Sequence, residues 1–105
     1  MLNSISGRLV YSPEIRFMPT GVPVLSFELA CAGRNIHCEA QGDMAEQFGE
    51  EDHYPEPHTR VVVRGTPVVR KWHDYEGKQH MRTILRLTQF AYRDDHGNTH
   101  RFGEQ

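Results

Sequence analysis

The sequence predicts an all-β domain, five strands wound as a small Greek-key barrel with one short helix and a terminal hairpin. Three observations predict it. Short runs of alternating apolar and polar residues dominate the chain, the period of a strand with one buried face. Gly, Pro, Asn and Asp punctuate the joins between these runs. Only one stretch has helical spacing, and it falls between the third and fourth strand candidates.

The first strand is NSISGRLV, with Ile5, Gly7 and Leu9 on one side and Ser4, Ser6 and Arg8 on the other. SPEIRFMPTGVP follows, rich in proline and turn signals. VLSFELAC alternates Leu25, Phe27, Leu29 and Cys31 against Ser26, Glu28 and Ala30, a half-buried strand. AGRN is a short turn, and NIHCEAQG returns with Ile36, Cys38 and Ala40 facing in. The helix is GDMAEQFGEE, with Asp43 as its cap, Met44, Gln47 and Phe48 on one side and Gly49 as its stop. EEDHYPEPH is an acidic loop broken by prolines. TRVVVRGTPVVRKW is a long strand in which Pro67 marks an edge or a bulge. DYEG turns it into KQHMRTILRLTQF, and AYRDDHGNTHRF is a last hairpin turning at DDHGN. Five strands with a helix between the third and fourth is the order of an OB-fold, a barrel that serves several functions.

At 105 residues the chain is one domain, 1–105, with material for one modest core. A mean hydropathy of −0.66 implies a polar surface or a partner. No apolar run approaches the roughly 20 residues of a membrane span, and MLNSISGRLV lacks the build of a signal peptide. Two cysteines are few for a small secreted domain. The expected compartment is the cytoplasm, with Cys31 and Cys38 as small buried hydrophobes.

The net charge of −2 hides a polarised distribution. Asn35 to Thr59 holds no Lys or Arg, but it holds Glu39, Asp43, Glu46, Glu50, Glu51, Asp52 and Glu56. Arg60 to Arg86 holds Arg60, Arg64, Arg70, Lys71, Lys78, Arg82 and Arg86 against only Asp74 and Glu76. Such a chain can bind a polyanion on one face while its total charge stays negative. The only tryptophan, Trp72, sits in this basic stretch with little apolar company. Stacking of a base on an aromatic ring contributes about 1–3 kcal/mol and tolerates any sequence. Alternation puts Arg60, Arg64 and Arg70 on one side of their strand, if Pro67 causes no slip, and Arg82 and Arg86 on one side of the next. That makes a stripe suited to a phosphate backbone. Arg8, Arg16 and Arg34 extend it. Adjacent strand residues point to opposite faces, so His37 and Cys38 do not share a metal. With no C-x-x-C and no H-x-x-x-H, no metal or cofactor is expected. No nucleophile elbow, phosphate loop or tight carboxylate pair is present, so no enzyme is expected.

These stretches also carry a family resemblance. ISGRLVYSPEIRFMPTGVPVLSFELA supplies Gly-x-Leu, Pro-Glu-x-Arg, an aromatic and x-Pro-x-Gly, then a strand ending Leu-Ala. QGDMAEQF matches at the helix, and VVVRGTPVVRKWHDYEGKQHMRTILRL matches the Arg-x-Trp hairpin. On these residues the chain resembles the bacterial single-stranded DNA-binding proteins. It departs from them in CAGRN, a loop without an aromatic, and in Asn35 and Gln41, which stand where that family often stacks bases. The family's long acidic-tipped tail has no counterpart after RFGEQ. In length and lack of a tail the chain is also similar to primosomal replication protein N of replication restart. The resemblance implies single-stranded DNA as the partner, in replication, recombination or repair, with little sequence preference. It leaves Trp72, joined by Tyr75, as the stacking platform. It further implies a homodimer or homotetramer, with replication or repair proteins as additional partners. The alternative is an OB-fold adaptor of replication restart whose nucleic-acid binding is secondary.

Overall fold

Alternation settles into strands wherever one face finds the core. The computed structural model describes residues 3–103. In it β1 (Asn3–Leu9), β2 (Glu14–Phe17), β3 (Pro23–Cys31) and β4 (Arg34–Gln41) precede the helix α1 (Asp43–Gly49). After it come β5 (Arg60–His73), β6 (Gln79–Arg93) and β7 (Thr99–Gly103). The pairing path runs β1-β5-β6-β4-β3-β2, with β7 on the free side of β6. It closes on itself, because β1 pairs β5 through Asn3–Arg8 and also meets β3 at Arg8 and Leu9. Every pairing is antiparallel except β4 with β6, where Cys38 faces Leu85 and Glu39 faces Arg86. The fold is therefore all-β with one short helix.

The core is filled by the inward residues of this ring, among them Leu25, Phe27, Leu29, Val61, Val63, Leu85 and Leu87. The rings of Phe27 and Phe48 lie 5.7 and 5.6 Å from Phe90, and Phe102 of β7 stacks on Phe90 at 4.7 Å. The helix lays Met44, Ala45 and Phe48 into the same core. At Arg64 and Gly65 the β5–β6 register slips: Arg64 faces Gln89, Gly65 faces Leu87, and Thr88 is left over as a bulge. A Cβ on Gly65 would collide with the Arg86 carbonyl oxygen, so only glycine lets the two strands close here.

Several sequence expectations change. EIRF lies in a stretch read as turns, yet it forms β2 along the edge of β3; its prolines flank the four paired residues rather than interrupt them. Asp43 does not cap the helix. Gly42 holds the cap position, with no side-chain hydrogen bond, and Asp43 is the first helical residue. The buried helix face includes Ala45, while Gln47 is exposed. The terminal hairpin adds only β7, because Ala91–Arg93 continue β6 without a break. Cys38 is buried, and burial pushes its thiol up to about 12; Cys31 is half-buried. The acidic loop is pinned rather than free: Pro55 is buried, Ser12 donates to its carbonyl at 3.0 Å, and Tyr54 packs on Phe48 at 4.5 Å.

Candidate nucleic-acid interface

β1 pairs β5 only as far as Gly65, and β4 meets β6 only at Leu85 and Arg86. Beyond these points β5 and β6 pair with each other alone, down to His73 and Gln79. The result is a two-stranded arm projecting from the barrel. Residues directly opposite in an antiparallel pair share a face, so Arg70 with Arg82, Trp72 with His80, and Thr66 with Arg86 line one side. Val69 with Thr83 and Lys71 with Met81 line the other. Trp72 is 44% exposed, and its ring stacks on His80 at 5.4 Å and 17°.

Two arginines of the arm reach the outer-face acids of β3 and β4. Arg70 donates from Nη1 and Nη2 to the two carboxylate oxygens of Glu39, each at 2.8 Å. Arg82 pairs with Glu28. His37 bridges the two acids, with Nδ1 2.8 Å from Glu28 Oε1 and Nε2 3.0 Å from Glu39 Oε2. Arg16 of β2 adds an ion pair to Glu39 at 3.6 Å. Burial of Glu39 favours its neutral form, but hydrogen bonds and charge from Arg70 and His37 outweigh that and hold its carboxyl below the usual range. These contacts cover Glu39, which is buried although alternation points it outward.

At the arm's tip one aspartate organises the turn. Asp74 Oδ1 accepts the backbone N–H of Glu76 and Lys78, both at 2.9 Å, and Oδ2 lies 2.8 Å from His80 Nε2. The His80 contact, followed by the Lys78 amide, holds Asp74 below the usual carboxylate range. Gly77 takes the positive φ that the turn requires. The same pattern, aromatic-x-Asp-x-x-Gly-x-x-His, recurs twenty residues later as Tyr92, Asp94, Gly97 and His100. It makes the same contacts, with Asp94 Oδ1 accepting from His96 and Asn98, Oδ2 2.9 Å from His100, and Tyr92 stacked on His100 at 4.8 Å. This repeat is legible in the sequence and names His80 and His100, which composition and charge passed over.

The sequence-predicted residues separate into groups. The structure brings Arg70, Trp72, Arg82 and Arg86 together on one arm face. Arg70 and Arg82 are engaged there by Glu39 and Glu28, so the predicted stripe is partly neutralised within the molecule. Arg86 is exposed and in no ion pair among the described residues. Lys71 points to the opposite face. Tyr75, 97% exposed, and Lys78 belong to the tip. Arg60 and Arg64 lie on the barrel beside β1 and β7 rather than on the arm, although they share the β5 side of Arg70. Arg34 opens β4 opposite Cys31, on the other side of that strand from His37 and Glu39. Arg93 and Arg101 went unnoticed in the sequence; alternation along β6 and β7 puts them beside Arg60 and Arg64. Among the described residues no group of His, Cys, Asp and Glu is arranged to hold a metal, and no helix is long and apolar enough to cross a membrane.

No protein-family model matches the chain, and no curated protein matches it significantly.

Proposed function

We propose that this chain is a non-catalytic, cytoplasmic OB-fold protein that binds single-stranded DNA with little sequence preference, serving replication, recombination or repair as a homodimer or homotetramer. The OB assignment is supported by the closed ring β1-β3-β4-β6-β5 with its single parallel contact and with α1 between the third and fourth strands of the ring. The functional reading rests on one observation: the only tryptophan stands half-exposed on a projecting arm, in line with Arg70, Arg82 and Arg86. A ring flanked by guanidinium groups offers a stacking surface to a base and cations to its phosphates.

Trp72 is its own reporter. Titration with an oligo-deoxythymidine of about 35 nucleotides, a length several OB grooves can share, should quench Trp72 fluorescence, and less so at higher salt. A folded protein with unquenched Trp72 at low salt would overturn this reading. A second reading is a protein-interaction adaptor of replication restart. Two observations favour it: Arg70 and Arg82 are already held by Glu39 and Glu28, and the reverse face of the arm exposes Val69 at 59% and Met81 at 64%.

A further inference from the structure

A second group of arginines outside any ion pair of the described residues lies off the arm. Where β5, β6 and β7 lie side by side, their outer face forms a groove of about 590 Å³. Arg60, Arg64, Arg93 and Arg101 line it, with Val62 and Ala91 between them and no acidic residue in the lining among the described residues. None of the four arginines is in an ion pair among the described residues. At the rim Arg8 of β1 lies directly across the ladder from Arg60. Like charges facing each other across strands destabilise a sheet. The two are held apart by local hydrogen bonds, Arg8 donating to the His58 carbonyl at 3.0 Å and Arg60 to Ser6 Oγ at 3.3 Å.

We infer that this groove is a second binding surface, separate from the arm, for the phosphate backbone of a nucleic-acid strand. Every cation in it is an arginine, whose planar fork matches a phosphate in two hydrogen bonds. The lining offers no exposed aromatic ring on which a base could stack; Phe90 and Tyr92 are buried. The groove therefore reads phosphate and not base. A protein partner would want an anchor at the centre of its contact, and the apolar floor supplies only Val62, 43% exposed, and Ala91. A second copy of this chain is disfavoured too, since a two-fold contact on this face sets arginine against arginine. The inference uses none of the arm residues, so it stands or falls apart from Trp72.

The test is the triple substitution R60Q/R64Q/R101Q, all on exposed strand positions, with R60K/R64K/R101K as its partner. The probe is the same oligo-deoxythymidine of about 35 nucleotides, end-labelled and followed by anisotropy over a salt series. Each phosphate contact on a single strand contributes about 0.7 to the log–log salt slope. The Gln variant should lose about 2 from that slope and bind at least tenfold more weakly at low salt. The Lys variant should recover the slope. Trp72 quenching by a short oligo-deoxythymidine should persist in both, which separates failure of the groove from failure of the arm. An unchanged slope in a Gln variant that melts like the parent would overturn the inference. So would competition by deca-glutamate equal to that of an oligonucleotide of the same charge, which would hand the groove to an acidic protein segment.

Discussion

The β5–β6 and β6–β7 hairpins close with the same pattern, and the ring that opens each copy has opposite surroundings. Tyr92 stacks on His100 and is buried against Phe102. Trp72 stacks on His80 and stands half in solvent. The turn chemistry does not distinguish them: Asp, Gly and His make the same bonds in both. What differs is the support. His100 has a second acid, with Nδ1 2.9 Å from Glu51 of the loop after α1, and that bond straps the tip to the barrel. His80 has only Asp74 among the described residues. One local design thus serves once as a fastening and once as a projection. An exposed ring held rigidly by its own turn can meet a ligand with little ordering left to do.

The sharpest way to break the comparison is to truncate both rings. Tyr92→Ala should cost about 3–5 kcal/mol of stability, the range for a buried aromatic, measured by urea denaturation. Trp72→Ala should leave the unfolding midpoint nearly unchanged and weaken oligo-deoxythymidine binding by about 1–3 kcal/mol. Similar stability losses at both positions would mean that the arm packs like the barrel. Glu39→Gln comes next. It removes a buried acceptor of Arg70 and should lower stability by about 1–3 kcal/mol, while strengthening oligonucleotide binding because Arg70 is released. Weaker binding in that variant would show that Glu39 positions Arg70 for the strand instead of competing with it.

The smallest expected effect is pH dependence, and it belongs to the strapped tip. Hydrogen bonds to Asp94 and Glu51 raise His100 above its ordinary 6.5. Its contribution to folding is complete below that value and is lost as pH rises through its native value. Hydrogen bonds from His100 and the Asn98 amide hold Asp94 at about 2, against an ordinary 3.8. Its contribution is complete above the ordinary value and fades as pH falls toward about 2. The strap is therefore firmest between about pH 4 and about pH 6.5. His100→Gln should flatten the alkaline decline in urea midpoint, and an unaltered decline would place its source elsewhere.

Strand existence was legible because each long strand alternates against a single core: Val61 and Val63 in, Arg60 and Arg64 out. β2 was not, since four residues between prolines show no period of their own and become a strand only by pairing with β3. The basic composition of the arm was legible; its neutralisation was not. Glu39 and Arg70 are 31 positions apart, and Glu28 and Arg82 are 54 apart. Only the register of four strands, β3, β4, β5 and β6, brings them into contact. Charge summed along a segment therefore overstated the field on its surface. Charge spread over segments, as with Arg60, Arg64, Arg93 and Arg101, was understated for the same reason.

Thr88 has a role out of proportion to its size. A strand has two sides, and one unmatched residue swaps them for everything downstream. On β6 plain alternation from Leu85 and Leu87 would put Phe90 and Tyr92 on the side that carries Arg82 and Arg86; the extra residue lets all four apolar side chains turn inward. Deleting Thr88 would leave Leu87 and Phe90 two positions apart, the spacing of plain alternation, so the core aromatics and the arm would both keep their faces. What would go is the bend and the added twist that a bulge gives its strand. A length change of one residue in the barrel wall thus sets the direction in which the arm points, with no substitution in the arm itself.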